Sequence, residues 1–134
     1  MPDDLVKLRI ASSAPDTDFT AKLLDVHPAG FSQRLCDGMI RARFRNGYDG
    51  GEQLLEPGAV TSYEIDMWST SHVFLAGHQI RLEVSSSAFP KYDRNLNTGG
   101  PLATGTEMTI AANSVWHTQE HPSHLVLPEI PALD

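Results

Sequence analysis

The sequence has a single cysteine, few aromatics (7% of residues), and only ten Lys and Arg against seventeen Asp and Glu. Each scarcity excludes something. A lone thiol closes no internal disulfide and builds no thiolate zinc cage, so Cys36 is expected as a buried, inert side chain. A net charge of −7 with scattered cations argues against a nucleic-acid partner and against an anionic membrane surface. No apolar run approaches the roughly 18 residues of a membrane span. The opening "MPDDLVKLRI" is acidic and then alternating, unlike the basic-then-apolar start of a secretory signal, so a soluble, cytoplasmic chain is the expectation. Also missing are a linker, an internal repeat, and any window of twelve or more residues with helical i, i+3, i+4 apolar spacing.

What is present is period two. Val6, Leu8 and Ile10 alternate with Lys7 and Arg9; Ile40, Ala42 and Phe44 with Arg41, Arg43 and Arg45; Tyr63, Ile65 and Met67 with Glu64, Asp66 and Trp68; Ile80, Leu82 and Val84 with Arg81 and Glu83. One apolar face per segment marks half-buried antiparallel strands. Residues 18–26 and 107–113 are strand-like with weaker alternation, and Leu23-Leu24 predicts a bulge or cover on both faces. "HLVLPEI" ends at prolines and suits an edge strand. Turn-forming segments such as "HPAG", "NGYDGG", "EPGA" and "NTGGP" fill the intervals. Six or seven short strands predict an all-β sandwich.

Catalytic and metal motifs are sparse. A hydrolase elbow needs G-x-S-x-G, and "GFSQR" around Ser32 lacks the closing glycine. Ser85, Ser86 and Ser87 follow a strand, where hydroxyls bond nearby backbone. His117, His121 and His124 have H-x3-H-x2-H spacing, but Pro122 breaks the helix that would align them, so no metal is expected there. Asp16 and Asp18 look like the start of a calcium loop without its later glycine and glutamate; an Asx-turn opening a strand is the expectation. The row Arg41, Arg43, Arg45 is expected on a solvated or interface face, lying across from Glu64, Asp66 or Glu83. Trp68, Trp116, Tyr48 and Tyr92 are expected in core or interface packing, with a sugar-stacking platform as the alternative.

The stretch "SSSAFPKYDRNLNTGG" concentrates small hydroxyls, an aromatic-proline corner and several polar groups. It reads as a strand-ending corner with interface duty. Phe89, Tyr92, Asp93, Arg94, Asn95 and Asn97 are its candidate binding or interface residues. Asp93, Arg94 and Asn95 are expected to bond loop backbone or one another, and residues 97–100 to reverse the chain.

Several phrases in correct order resemble one family. They are "SSAPDTDFTAKLLDVHPAG", "LCDGMIRARFR", "LLEPGAVTSYEID", "FLAGHQIRLEVSSSAFPKYDRNLNTGG" and "HPSHLVLPEIP", covering about residues 6–131. The chain resembles the C-terminal non-catalytic domain of X-Pro dipeptidyl-peptidase and cocaine-esterase-type serine hydrolases, a group that includes α-amino acid ester hydrolases and glutaryl-cephalosporin acylases. The resemblance implies an antiparallel jelly-roll β-sandwich of the galactose-binding-like type. It also implies a partner, an α/β-hydrolase domain with a helical cap that carries the Ser-Asp-His triad and precedes the jelly roll. No triad residue transfers to this chain.

Ala88 stands where the family more often has Asn, and Lys91-Tyr92 where it has Arg-Phe. The match to "VKLRI" starts so near Met1 that the family's first strands are expected to be missing. Residues 1–134 then form one partial C-terminal jelly-roll domain, without the catalytic domain. Its expected role is structural and cleft-shaping in a parent enzyme that hydrolyses ester or amide bonds, with no cofactor. Partners are that catalytic domain, a separately encoded chain, or a second copy, because a sandwich without its early strands exposes apolar surface and unpaired edges. The alternatives are a stand-alone carbohydrate- or ligand-binding sandwich and a gene fragment without function.

Overall fold

The alternating segment at the start of the chain becomes the hub of the first sheet. In the computed structural model, which describes residues 3–131, strand β1 (Leu5–Ser12) buries Val6, Leu8 and Ile10 and leaves Lys7 and Arg9 half-covered. β1 pairs antiparallel with β4 (Thr61–Asp66) on one side, and with β6 (Asn113–Trp116) and the short β7 (His124–Val126) on the other. Tyr63 and Ile65 of β4 join the apolar row. As expected from its prolines, "HLVLPEI" supplies a strand that pairs on one side only.

The second sheet is centred on β2 (Asp18–Val26), flanked by β3 (Ser32–Arg41) and β5 (Gln79–Ser85), again antiparallel. Phe19, Ala21 and Leu23 face the first sheet, and Phe19 meets Tyr63 edge-on at 4.9 Å between ring centroids. Eight of the nine β2 residues are buried, so the strand is covered on both faces. The predicted irregularity is present: the β2–β3 register slips between Leu23 and Leu24, leaving Leu35 as the extra residue of β3. Gly38 of β3 packs directly against β4 of the other sheet. A Cβ there would lie 2.9 Å from Ile65 Cγ2 and 3.0 Å from the Asp66 carbonyl carbon, and would overlap the Asp66 oxygen. Among the described residues there is no α-helix; the all-β reading holds as two antiparallel sheets around one core.

Three local expectations are corrected. Residues 107–113 do not form a strand: Met108 and Ile110 are exposed, and pairing begins only at Asn113. Apolar character alone mimicked a strand in a segment that has no sheet neighbour among the described residues. The arginine row does not continue as a strand either. β3 stops at Arg41 and a single 3-10 turn (Ala42–Phe44) tucks Ala42 and Arg43 inside. In β5, Ile80 is exposed, while Leu82 and Val84 pack against the core.

Candidate functional site

The central strand β2 carries a buried acid network at each end. At its start, Asp16 is fully buried and Asp18 nearly so. Arg43 donates from its backbone N–H to Asp16 Oδ1 (3.0 Å) and from Nε to Asp16 Oδ2 (2.8 Å). Arg41, the cross-strand neighbour of Asp18, donates from Nε and Nη2 to both Asp18 oxygens at 2.9 and 3.0 Å. Asn95 Nδ2 then donates to both acids, 2.8 Å to Asp16 Oδ2 and 2.9 Å to Asp18 Oδ1. Burying charge is costly unless each charge is matched and hydrogen-bonded, and here both carboxylates are. The Asp18 bonds hold the Arg41 proton more firmly than in a free guanidinium.

This network corrects two expectations. Asp16 and Asp18 are ion-pair acceptors rather than an Asx-turn, and Arg41, Arg43 and Arg45 do not face Glu64, Asp66 or Glu83. Arg45 instead donates to the carbonyls of Ala42 and Gln53. The physical reason is the 3-10 turn, which swings Arg43 into the interior, where its Nε meets the buried Asp16.

The network also pins the 85–100 loop. Besides the Asn95 bonds, Arg43 Nη2 donates to Gly100 O at 2.9 Å and Arg41 Nη2 to Asp93 O at 3.4 Å. Lys91 Nζ lies 2.7 Å from an Asp37 oxygen on β3. The predicted serine bonds are present, Ser85 Oγ donating to Ser87 O and Phe89 N–H to Ser87 Oγ. Of the six loop candidates, Tyr92 and Asp93 come together with Arg41, Met39, Phe44 and Tyr48 around a shallow depression of about 300 Å³. Asn97 takes a left-handed conformation (φ 65°), accepts no part in that depression, and bonds Asn95 Oδ1 and Thr109 O. Arg94 reaches Met108 Sδ at 3.8 Å, and Phe89 points outward, 63% exposed. Asn95 therefore bonds buried acids, not only its own loop.

The other end of β2 was not anticipated from sequence. The core-facing row Phe19, Ala21, Leu23 ends in Asp25, an acid where the alternation calls for an apolar residue. Asp25 is 2% exposed and lies between two imidazoles, with His72 Nε2 2.8 Å from Oδ2 and His78 Nδ1 2.8 Å from Oδ1. Burial works against its ionisation, but the bonds to His72 and His78 and the charges of His78 and His27 outweigh it and hold the carboxyl below its ordinary range. His27 stacks near His78 at 4.4 Å between ring centroids. The legible signal was a buried-face acid in "DFTAKLLDV" followed by histidines in "DVHPAG" and "AGHQ". By contrast, among the described residues His117, His121 and His124 do not converge; His124 Nδ1 bonds Pro122 O and His121 meets Trp116.

Beside Asp25 opens a depression of about 720 Å³, lined chiefly by Leu23, His72, Val73, Phe74, Ile80 and Ile130. Val73 and Ile130 are 74% and 83% exposed, a concentration of apolar surface at one place. Trp68 and Tyr48 are also outside the core, contrary to a core-packing role, and Trp116 is only partly covered. Cys36 Sγ lies 3.6 Å from Asp4 Oδ2; burial, with Asp4 beside it, pushes the thiol up to about 11, which keeps it in the unreactive thiol form at neutral pH.

Two antiparallel sheets over a shared core, with polar networks closing both ends of the central strand, define a β-sandwich-like domain. Residues 5–126 match the family model described as the X-Pro dipeptidyl-peptidase C-terminal non-catalytic domain, and the chain belongs to that family. It is 52% identical to cocaine esterase of a Rhodococcus species over 126 residues, covering 92% of this chain and 22% of the esterase. A putative serine esterase of Mycobacterium bovis is 25% identical over 94% of this chain and 21% of its own length. Among solved structures, an aminopeptidase from a marine-sediment Thaumarchaeota archaeon aligns with a TM-score of 0.84 at 31% identity, over 93% of this chain and 23% of the aminopeptidase. An α-amino acid ester hydrolase aligns with a TM-score of 0.87 at 26% identity, over 91% and 22%. The chain thus spans about a fifth of the length of the proteins it matches.

Proposed function

We propose that this chain is the jelly-roll module of a serine hydrolase that cleaves ester or amide bonds, and that it braces the catalytic α/β-hydrolase domain and shapes access to its cleft without supplying a catalytic group. The observation that carries the reading is the match of residues 5–126 to a non-catalytic domain family within much longer hydrolases. The architecture agrees with it. A jelly roll has eight strands in two sheets; the seven described here would be its later ones, with an earlier strand pairing on an open edge of β3 or β5. The apolar depression around Val73, Phe74, Ile80 and Ile130 supplies a surface for the catalytic domain. At the opposite end of β2, the loop held by Asn95 presents Phe89, Tyr92, Asp93 and Arg94 as a second, separate surface for such a contact.

The test uses the Rhodococcus cocaine esterase expressed without the portion that this chain matches. Added in trans, the chain is expected to form a one-to-one complex by light scattering and to raise the melting temperature and p-nitrophenyl ester hydrolysis of the truncated enzyme. Val73→Glu with Ile130→Glu should abolish the complex. Ester hydrolysis by the chain alone, or a truncated enzyme indifferent to its presence, overturns the proposal.

A second reading, a free-standing glycan- or ligand-binding sandwich, is favoured by one observation. Phe44 and Tyr48 stack at 4.9 Å beside Tyr92, Arg41 and Asp93, giving an apolar wall with polar groups at its rim. Saturable binding in a glycan array that Tyr48→Ala and Tyr92→Ala abolish would support it, and a flat array would remove it.

A further inference from the structure

We propose that Asp25, His27 and His78 form a binding site for a divalent first-row transition ion, with zinc the best match, independent of any hydrolase chemistry. One carboxylate oxygen of Asp25 and one ring nitrogen from each histidine all lie within 4.8 Å of one another. With metal–ligand bonds of about 2.0–2.2 Å, ligand atoms in a zinc sphere are about 3–3.5 Å apart, so small side-chain rotations close the set.

The placement follows from sheet geometry. Asp25 and His27 are two residues apart, so an extended backbone turns both to the same face. The β2–β5 register ends at Val26 opposite Gln79, and one step further sets His27 opposite His78. The three ligands therefore come from two adjacent chains locked by a ladder, which fixes their separation before any ion arrives.

The chemistry of the donors narrows the ion. Two imidazoles and one carboxylate suit zinc, cobalt, nickel and copper, whereas calcium and magnesium prefer oxygen cages. Asp25 is buried and its two oxygens are fixed by imidazole contacts at 2.8 Å, so the carboxylate is already oriented for binding. His72 bonds the second carboxylate oxygen from outside the set, at 2.8 Å. It is a positioning residue, the outer hydrogen bond that usually orients a metal-bound ligand. His27 and His78 are half-buried, so one side of the set faces solvent and leaves a position for water or a partner's side chain. The ion would rivet the end of β2 to the start of β5.

Binding replaces the hydrogen bond between His78 Nδ1 and Asp25 Oδ1 with two metal bonds. The Nδ1 proton moves to Nε2 of the same ring or, from a charged ring, to solvent.

The experiment is titration of the untagged full chain with Co²⁺, read by its visible ligand-field bands, followed by Zn²⁺ displacement and metal analysis after dialysis. One equivalent per chain is expected, together with a zinc-dependent rise in melting temperature. His27→Gln combined with His78→Gln should abolish both signals, and His72→Phe should weaken binding by about 10–100-fold. Circular dichroism of each variant checks that the sheets are intact. A control in which His117, His121 and His124 are all changed to Gln should bind as the parent does. Absence of saturable binding by the folded parent overturns the proposal. So does binding kept by His27→Gln/His78→Gln or lost in the loop-histidine control.

Discussion

Arg43→Met is the perturbation that most directly tests how this domain keeps two acids in its interior. Arg43 is 3% exposed, and its Nε donates to a fully buried Asp16. The methionine nearly fills the space of the aliphatic stem but removes every guanidinium donor. Asp16 would keep the Asn95 amide and the backbone N–H of residue 43, and lose its counter-charge. Breaking a buried pair from one side costs about 3–5 kcal/mol, because a charge is left without compensation. The Gly100 carbonyl also loses its donor, but that residue is half-exposed, so water replaces the bond at little cost. Glu52, 55% exposed and 3.4 Å away, adds little, because solvent screens it. The net expectation is a loss of about 3–5 kcal/mol, a large share of the roughly 5–15 kcal/mol typical of a domain. The assay is urea denaturation followed by far-ultraviolet circular dichroism and tryptophan fluorescence. Asp16→Asn combined with Arg43→Met should be less destabilised than Arg43→Met alone, since the orphaned charge is gone. A loss under about 1 kcal/mol for Arg43→Met, or a double variant weaker than the single, would refute the reasoning.

Two further outcomes follow from single positions. Gly38→Ala places a Cβ against the Asp66 backbone oxygen and Ile65; separating the sheets there should cost at least about 1–3 kcal/mol in urea, and an unchanged midpoint would mean the sheets are not so closely apposed. Asp25, whose carboxyl is held low by His72 and His78, should contribute stability that is fully present above its unfolded value near 3.9 and lost as the pH falls through the folded one. Melting temperatures from pH 6 down to about pH 2 should fall less steeply in Asp25→Asn than in the parent, and parallel slopes would contradict the pairing.

Alternation determined most of the fold, because a period of two allows only one face of each strand to be buried. Val6, Leu8 and Ile10, Tyr63 and Ile65, and the Leu23-Leu24 irregularity were all legible in this way. Alternation also misled where a segment had the pattern without a neighbour. Ile110 stays exposed because, among the described residues, no strand lies beside residues 107–111, and pairing is a property of the whole sheet. The order of phrases along the chain likewise carried the family, since many residues in register constrain one another more than any short motif.

Only the tertiary structure decided the polar sites. Asp16 and Asn95 are far apart in sequence, and nothing local distinguishes an Asp that opens a turn from one that neutralises a buried arginine. The 3-10 turn at Ala42–Phe44 converts Arg43 from an outward member of a charged row into the counter-ion of Asp16. Asp25, His27, His72 and His78 are joined by the β2–β5 register and by the β4–β5 connection. Each histidine alone has the look of a loop residue. The sequence by itself determined which faces are apolar, because burial of apolar surface is a local, additive preference. Which charges meet was decided by the fold, because a buried charge is stabilised only by the particular partners that the packed chain brings within hydrogen-bonding distance.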